Sequence, residues 1–247
     1  MFKEFRADLH IHTCLSPCAD IQMTHSAIVK TATERRLDII AVTDHNSAEN
    51  VPSVMKAAEN SDLTVLAGME VTSSEEAHIL ALFDHSDSAK KLQDTVYEKL
   101  LSGENDEKRF GEQIVVNEKN EVLSFNKRLL IAATSLTAES IVNIIHSLGG
   151  LAIASHIDRE AFGLISQLGF IPDNLKLDAL EISPRTDRKR AEDSFKDYRA
   201  FAWVSSSDAH YLDDIGKRTT GFYMREPVFS EIILAIKNYN GRKAEWS

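Results

Sequence analysis

The sequence contains few of the residues that mark small secreted proteins or membrane proteins. It has only two cysteines, Cys14 and Cys18, in 247 residues, too few for a disulfide framework. No apolar run reaches the roughly 18 residues needed to cross a membrane. Residues 1–8 lack the apolar core of a signal peptide. We therefore expect a cytoplasmic protein that does not interact with membranes.

Positive charge is also scarce. The chain has 28 Lys and Arg against 38 Asp and Glu, a formal net charge of −10. Binding to a phosphate backbone requires Lys and Arg in excess, so the composition argues against a nucleic-acid partner. An anionic substrate would need local positive charge, which metal ions can supply within an acidic protein.

The apolar residues are distributed as in an α/β domain. They make up 43% of the chain, enough for a sizeable core. Helical patterns occur at 24–36, 48–60, 88–102, 138–147 and 230–240. Short apolar runs flanked by breaking residues predict seven buried strands, at 5–12, 39–43, 64–72, 78–83, 151–155, 179–183 and 202–206. Because strands alternate with helices, we predict a mostly parallel sheet.

One stretch, residues 103–134, interrupts this alternation. It begins with charged residues and continues with two short apolar runs, 114–116 and 122–123, around a polar turn, a pattern typical of a β-hairpin. We therefore predict one domain over residues 1–247, with an inserted segment at about 86–138 near the mouth of the site.

Most of the nine histidines lie at or just after the ends of the predicted strands. His10 and His12 share one face of the first strand, and Asp8 is expected on the same face, since alternate strand residues point the same way. This pair alone fits packed histidines equally well. Five later strands repeat the placement, with Asp44 and His45, Glu70, His78, His156, and Asp208 and His210. Active sites of α/β barrels form at the carboxyl ends of strands, so we predict one shared site.

The residue types in this set indicate a metal centre. Imidazole and carboxylate ligands, without an obligatory thiolate, suit Zn, Fe or Mn. The candidates exceed the four ligands of one tetrahedral zinc ion. We therefore predict two or three divalent metal ions, which suit in-line displacement at phosphorus.

Six short stretches of the sequence, which contain these residues, are found in the same order in a known family. They are Asp8-Leu9-His10-Ile11-His12-Thr13, Val42-Thr43-Asp44-His45-Asn46, Gly68-Met69-Glu70-Val71, Ala77-His78-Ile79-Leu80, Ala154-Ser155-His156 and Ser207-Asp208-Ala209-His210. The chain resembles the PHP (polymerase and histidinol phosphatase) superfamily, above all its stand-alone phosphoesterases. The resemblance implies a distorted (β/α)7 TIM-like barrel with a trinuclear metal centre. It also implies that a metal-bridging hydroxide hydrolyses a phosphomonoester of a small metabolite or nucleotide and releases phosphate.

The resemblance assigns a role to each candidate. The implied metal ligands are His10 and His12 with Glu70 and Asp208 for one ion, His78 and His156 with a bridging Glu70 for the second, and Asp20, His45 and His210 for the third. Asp8 and Asp44 would orient imidazoles from behind or polarise the site. Asp20 has two extra residues before it and lacks the glycine usual in the family, so Cys18 is a rival ligand.

Basic residues after the strand ends are candidates for binding the substrate phosphate. Arg159 is the first choice, because a planar guanidinium binds phosphate in a bidentate manner. Arg185 is the second choice, and Lys217 and Arg218 are the third. Surface salt bridges are the alternative role for these side chains. Glu181 could be an outer metal ligand or the ion-pair partner of an arginine.

Two other functions stay open. A non-catalytic metal-binding PHP module would keep the ligands without a substrate pocket, although the complete ligand set argues against it. An amidohydrolase-type metal hydrolase also begins with His-x-His, but usually carries a carboxylated lysine on a middle strand, where this chain has Glu70. The sequence identifies neither the substrate nor the oligomeric state.

Overall fold

The structure is a computed structural model that describes residues 1–246. The described strands, β1 to β11 in chain order, are Lys3–Ile11, Ile39–Val42, Thr64–Thr72, His78–Phe83, Ile114–Val116, Val122–Phe125, Leu151–Ala154, Ala179–Ile182, Ala202–Ser205, Thr220–Met224 and Lys243–Trp246. The helices, α1 to α8, are His25–Glu34, Val51–Ala57, Ser86–Lys99, Glu107–Phe110, Ala138–Ser147, Leu164–Leu168, Arg188–Ser194 and Phe229–Ile236. All seven predicted strands are therefore present.

These seven strands form a nearly closed barrel surrounded by helices. They lie within a nine-stranded sheet of order β11-β10-β1-β2-β3-β4-β7-β8-β9. Six of them run in one direction, and β4 runs antiparallel to both β3 and β7. The chain just after β9 pairs with the end of β1, where His12 N donates to Ala209 O at 3.0 Å. The predicted distorted α/β barrel is confirmed.

Two strands near the carboxyl terminus, β10 and β11, were not predicted. β10 runs antiparallel to β1, and β11 runs antiparallel to β10. The Thr220 hydroxyl of β10 bridges to β9, accepting from Ser205 N at 2.8 Å and donating to Ser205 O at 2.9 Å. Only Trp246 is buried in β11, so no apolar run marks that strand in the sequence.

Strand alternation separates two layers of apolar side chains. The helix-side cluster includes Ile40 and Val42 of β2 together with buried residues of α1, α2, α3 and α5. The barrel-interior cluster includes Ile39 and Ala41 of β2, and α8 contributes Phe229 to it. The interior of the barrel is therefore a packed core, with room for polar groups only near the strand ends.

The predicted inserted segment contains both helix and hairpin. Its first part is α3, which packs against β3 and β4. The predicted hairpin is present as the β5–β6 pair, a separate two-stranded sheet. It lies beside the loop after β1, because Ile114 N donates to Cys14 O at 3.0 Å. Among the described residues, no helix is both long and apolar enough to cross a membrane.

Candidate metal centre

The predicted ligands gather around the carboxylate of Glu70, which is 1% exposed. Glu70 lies on β3, two residues beyond Gly68, where a Cβ would come within 2.8 Å of the Thr43 side chain. Five imidazoles approach its oxygens: His78 Nδ1 at 2.8 Å, His45 Nδ1 at 3.0 Å, His156 Nε2 at 3.3 Å, His10 Nε2 at 3.4 Å and His12 Nε2 at 3.5 Å. Glu70 therefore lies at the centre of the cluster.

Asp208 provides a second carboxylate on the open side of the cluster. Its Oδ1 lies 3.2 Å from both His10 Nε2 and His12 Nε2, and 3.6 Å from His210 Nδ1. The rings of His12 and His210 are 4.2 Å apart. The structure thus brings together every predicted ligand except Asp20.

Strand alternation explains most of this convergence. The interior positions Leu66 of β3 and Leu82 of β4 lead by steps of two residues to Glu70 and His78. His78 reaches the same end although it opens its strand, because β4 runs antiparallel to its neighbours. An irregularity in the β1–β2 pairing breaks the alternation between Asp8 and Ile11.

The irregularity in β1 changes the expected face of Asp8. Leu9 belongs to the barrel-interior cluster, whereas Ile11 belongs to the helix-side cluster. Strict alternation would place these two residues on the same side of the sheet, so the alternation fails between them. His10 and His12 face the site. Asp8 Oδ2 accepts from the Ser207 hydroxyl at 2.6 Å and from Gly216 N at 2.7 Å. It therefore holds the loop that carries Asp208, and in residues 1–246 its carboxylate contacts no imidazole side chain.

The two ligands that follow β7 and β9 have unusual backbone conformations. His156 has φ 28° and Asp208 has φ 51°, both in the left-handed region. Side chains other than glycine occupy this region at a cost of roughly 1–3 kcal/mol, and such strain clusters at functional sites. The fold therefore turns the chain sharply at both positions to direct these side chains into the cluster.

Carboxylates behind the ligands fix the orientation of two imidazoles. His10 Nδ1 donates to Glu181 Oε2 at 3.0 Å, which leaves His10 Nε2 to face the cluster. His12 Nδ1 donates to the Ser16 hydroxyl at 2.9 Å, and that hydroxyl donates to Asp44 Oδ1 at 2.7 Å. Metal-bound histidines commonly have such partners on the nitrogen that faces away from the ion.

The electrostatics of the cluster fit bound cations. Burial would raise the pKa of Glu70, yet the imidazoles of His78, His10 and His45 hold it well below its usual range. Burial, together with His210 and His45, holds the pKa of His12 well below its usual value. Glu70 is therefore an anion and His12 a neutral imidazole, the forms that bind metal. Burial would lower the pKa of His10, but Glu181, Asp208 and Glu70 hold it well above its usual value, so metal binding there would release a proton.

The spacing of donor atoms also fits metal ions. Three groups have ligand atoms within 4.8 Å of one another: His12, His45 and His210; His10, His12 and Asp208; and His45, Glu70 and His78. His10 Nε2 and His12 Nε2 lie 3.2 Å apart, close to the roughly 3.3 Å expected for two nitrogens on one tetrahedral zinc. His45 Nδ1 is buried 3.0 Å from Glu70 Oε2, but it makes no hydrogen bond of acceptable geometry among the described residues. A cation would satisfy it.

Family comparison agrees with this site. The PHP domain family matches residues 8–198 of the chain. The chain belongs to the PHP domain family. The protein YqxK of Bacillus subtilis is 25% identical over 98% of this chain and 64% of its own length. The family match, with the ligand groups, indicates a metal-dependent hydrolase.

Solved structures show the same fold. The lesion-specific endonuclease PfuEndoQ of Pyrococcus furiosus aligns with a TM-score of 0.73 and 21% identity, covering 98% of this chain and 58% of its own. A Bifidobacterium adolescentis protein described as a metal-dependent phosphoesterase aligns with a TM-score of 0.56 and 16% identity, covering 83% of this chain and 87% of its own. The PHP chain thus spans less than two thirds of YqxK and of PfuEndoQ.

Asp20 is the predicted ligand that this PHP domain does not bring to the cluster. Its Oδ1 accepts from Gln22 N at 2.7 Å, and it belongs to none of the three ligand groups in residues 1–246. Cys18 lies closer, with its Sγ 3.1 Å from His210 Nε2. Burial would raise the pKa of the Cys18 thiol, but the imidazoles of His45 and His210 lower it to about 6. The loop after β1 therefore presents a sulfur to the site.

A cleft of about 380 Å³ opens beside Asp208 and His210. Arg159, Arg185 and Lys217 all line it. Arg159 Nη1 lies 2.6 Å from Asp208 Oδ2, so this guanidinium already has a carboxylate partner. The exposed Arg185 has no salt-bridge partner within residues 1–246, whereas Lys217 pairs with Asp214 at 2.7 Å. A larger cleft, of about 1090 Å³, lies near Trp246 and contains none of the predicted ligands.

Several site neighbours were not found by sequence reasoning. Phe162 stacks on His78 with ring centroids 4.5 Å apart, and its signal in the sequence is only a lone aromatic in a loop. Ser16 carries no signal beyond its proximity to His12. The three histidines that are not among the predicted ligands lie elsewhere: His25 Nδ1 contacts Asn117 O, His146 pairs with Asp178, and His85 is exposed. Arg218 donates to the carbonyls of Pro184 and Thr186.

Proposed function

We propose that this PHP domain is a phosphoesterase that hydrolyses a phosphomonoester of a small metabolite or nucleotide. The observation that carries the proposal is the meeting of a buried histidine and carboxylate cluster with a cleft lined by arginines. A cluster alone would serve a binding module equally well. A neighbouring guanidinium without an ion-pair partner provides a place for phosphate.

Each part of the site has a distinct task in this proposal. Glu70 and the surrounding imidazoles would hold two or three divalent ions, Zn, Fe or Mn. Bound there, the ions would supply Lewis-acid activation of water and positive charge for the phosphoryl group. Glu181 and the Asp44–Ser16 pair keep His10 and His12 in the orientation that binding requires. Arg159 holds Asp208 through their ion pair, so the fixed ligands need little reorganisation when substrate arrives.

Arg185 is the side chain best placed to bind the substrate phosphate. It is exposed, lines the cleft, and has no salt bridge within residues 1–246. Arg159, the first choice from the sequence, is engaged with Asp208 instead. We therefore assign the main phosphate contact to Arg185, and a positioning role to Arg159.

Hydrolysis of a phosphodiester in DNA is the second candidate. PfuEndoQ, an endonuclease, shares the fold over 98% of this chain. Tyr211 lines the cleft and is 56% exposed, and Phe162 is 38% exposed beside His78, so two aromatic rings are available for base stacking. The net charge of −10 argues against this candidate, because it weakens binding to a phosphate backbone.

One screen tests both candidates. The metal-free protein is reloaded with Mn, Zn or Fe and offered a panel of phosphomonoesters, including nucleotides, and duplex oligonucleotides with and without an abasic site. We expect phosphate release that a chelator stops and that His10→Ala abolishes. Strand cleavage without phosphate release would favour the second candidate. Neither reaction with any of the metals would refute both and favour a binding module.

A further inference from the structure

The loop between β1 and α1 places a thiol at the outer edge of the metal centre. Cys18 Sγ lies 3.1 Å from His210 Nε2. His210 itself belongs to a group of three imidazoles, with His12 and His45, whose ligand atoms lie within 4.8 Å of one another. The sulfur therefore lies in contact with one member of this group of three imidazoles.

A second observation concerns His45, which belongs to this group. His45 is 6% exposed, and its Nδ1 lies 3.0 Å from Glu70 Oε2 without hydrogen-bond geometry. His45 also belongs to the group with Glu70 and His78, so it joins the outer donors to the centre of the cluster. A buried nitrogen that faces a carboxylate without forming a hydrogen bond is costly in a folded protein, and a cation bound by both groups removes that cost.

Asp20, the carboxylate that the sequence predicts at this position, makes other contacts. Asp20 Oδ1 accepts from Gln22 N at 2.7 Å, and Asp20 N donates to His210 O at 2.8 Å. Asp20 thus shapes the backbone that carries the donors. Cys18, two residues earlier, points its side chain at His210.

We propose that Cys18, as a thiolate, binds the outermost metal ion together with His45 and His210, in place of Asp20. The inference rests on the proposed function for the presence of a metal centre, but on no particular reaction. On binding, the thiol proton passes to solvent and a sulfur lone pair bonds to the ion, with no change of oxidation state. A thiolate is a soft ligand, so this position should prefer Zn or Fe(II) over Mn or Mg.

Cobalt substitution tests the proposal without any assay of activity. Sulfur-to-cobalt charge transfer gives a near-ultraviolet absorption band that nitrogen and oxygen ligands do not give. We expect the band when the metal-free protein is loaded with Co²⁺. Cys18→Ser should remove the band and one bound ion per chain. Asp20→Asn and Cys14→Ser should keep both, because Asp20 is a turn residue and Cys14 is buried against Ile114.

Cys18→Asp separates the ligand role from a structural one. The carboxylate should restore the ion without restoring the band. Circular dichroism of each variant confirms folding, and Cys18 is exposed, so substitution there disturbs no core. A wild-type protein loaded with cobalt but lacking the band would overturn the inference, as would a band that survives in Cys18→Ser. A band in a protein that hydrolyses no phosphoester would uphold it while the proposed function fails.

Discussion

The site has two parts that differ in how they are held. The strand-borne part consists of His10, Glu70 and His78, and the loop-borne part of Cys18, Arg185 and His210. His10 is fully buried and Glu70 is 1% exposed, whereas the side chain of His210 is 22% exposed. Strand-borne groups have partners behind them, such as Glu181 behind His10. Under the proposed function, the barrel fixes the metal positions, and the loops adjust the outermost ion and the substrate.

The largest expected effect is at the centre of the strand-borne part. Glu70→Gln keeps the shape but removes the charge that five imidazoles surround. We expect loss of bound metal and a fall in kcat of more than about 100-fold, beyond the range for groups that only orient a ligand. Elemental analysis and steady-state kinetics measure both. Glu59→Gln, at an exposed position, is the matched control. Full metal content in Glu70→Gln would contradict the division into a strand-borne and a loop-borne part.

A smaller effect is expected for the groups that hydrogen-bond to the strand-borne histidines on the side away from the cluster. Glu181→Gln weakens the partner of His10 Nδ1 without removing a ligand. Metal affinity should fall about 10–100-fold, as for other groups that orient metal-bound histidines. Titration with a chelator measures the change, and added metal should restore activity. Unchanged chelator sensitivity would mean that the barrel alone orients His10.

The smallest effect is expected in the loop-borne part. Arg185→Ala removes one charged contact to phosphate and should raise KM about tenfold, equivalent to about 1.4 kcal/mol. Metal content and kcat should stay as in the wild type. Lys189→Ala, a change of the same charge at an exposed position, should leave KM unchanged. If Arg185→Ala lowered metal content instead, the separation between the two parts would be wrong.

Predictability from the sequence follows the same division. The seven barrel strands were predicted because buried strands are continuous apolar runs. His10, Glu70 and His78 were found because polar residues at the ends of such runs are conspicuous. β10 and β11 were missed. In β11, which lies at the edge of the sheet, the polar sequence of Lys243–Trp246 resembles a loop.

The loop-borne groups were harder to predict. Spacing favoured Asp20 over Cys18 as the predicted ligand, but a loop can direct either side chain toward the site. In this loop Asp20 accepts a hydrogen bond from Gln22 N. Charge type favoured Arg159 for the substrate, yet the fold places it on Asp208. Asp8 was placed with His10 by alternation, and the irregularity in β1 removed that relation.

The sequence by itself determined the barrel, the family and the residue types of the cluster, because burial enforces apolar runs and metal chemistry restricts the residue types. The tertiary structure alone decided which oxygen meets which nitrogen, which arginine pairs with Asp208, and which side chain of the first loop faces His210. Those outcomes depend on long-range pairing, as between Ile11 and Ala209 at the closing edge of the barrel. Local patterns carry no information about such contacts, because the partners are distant in sequence.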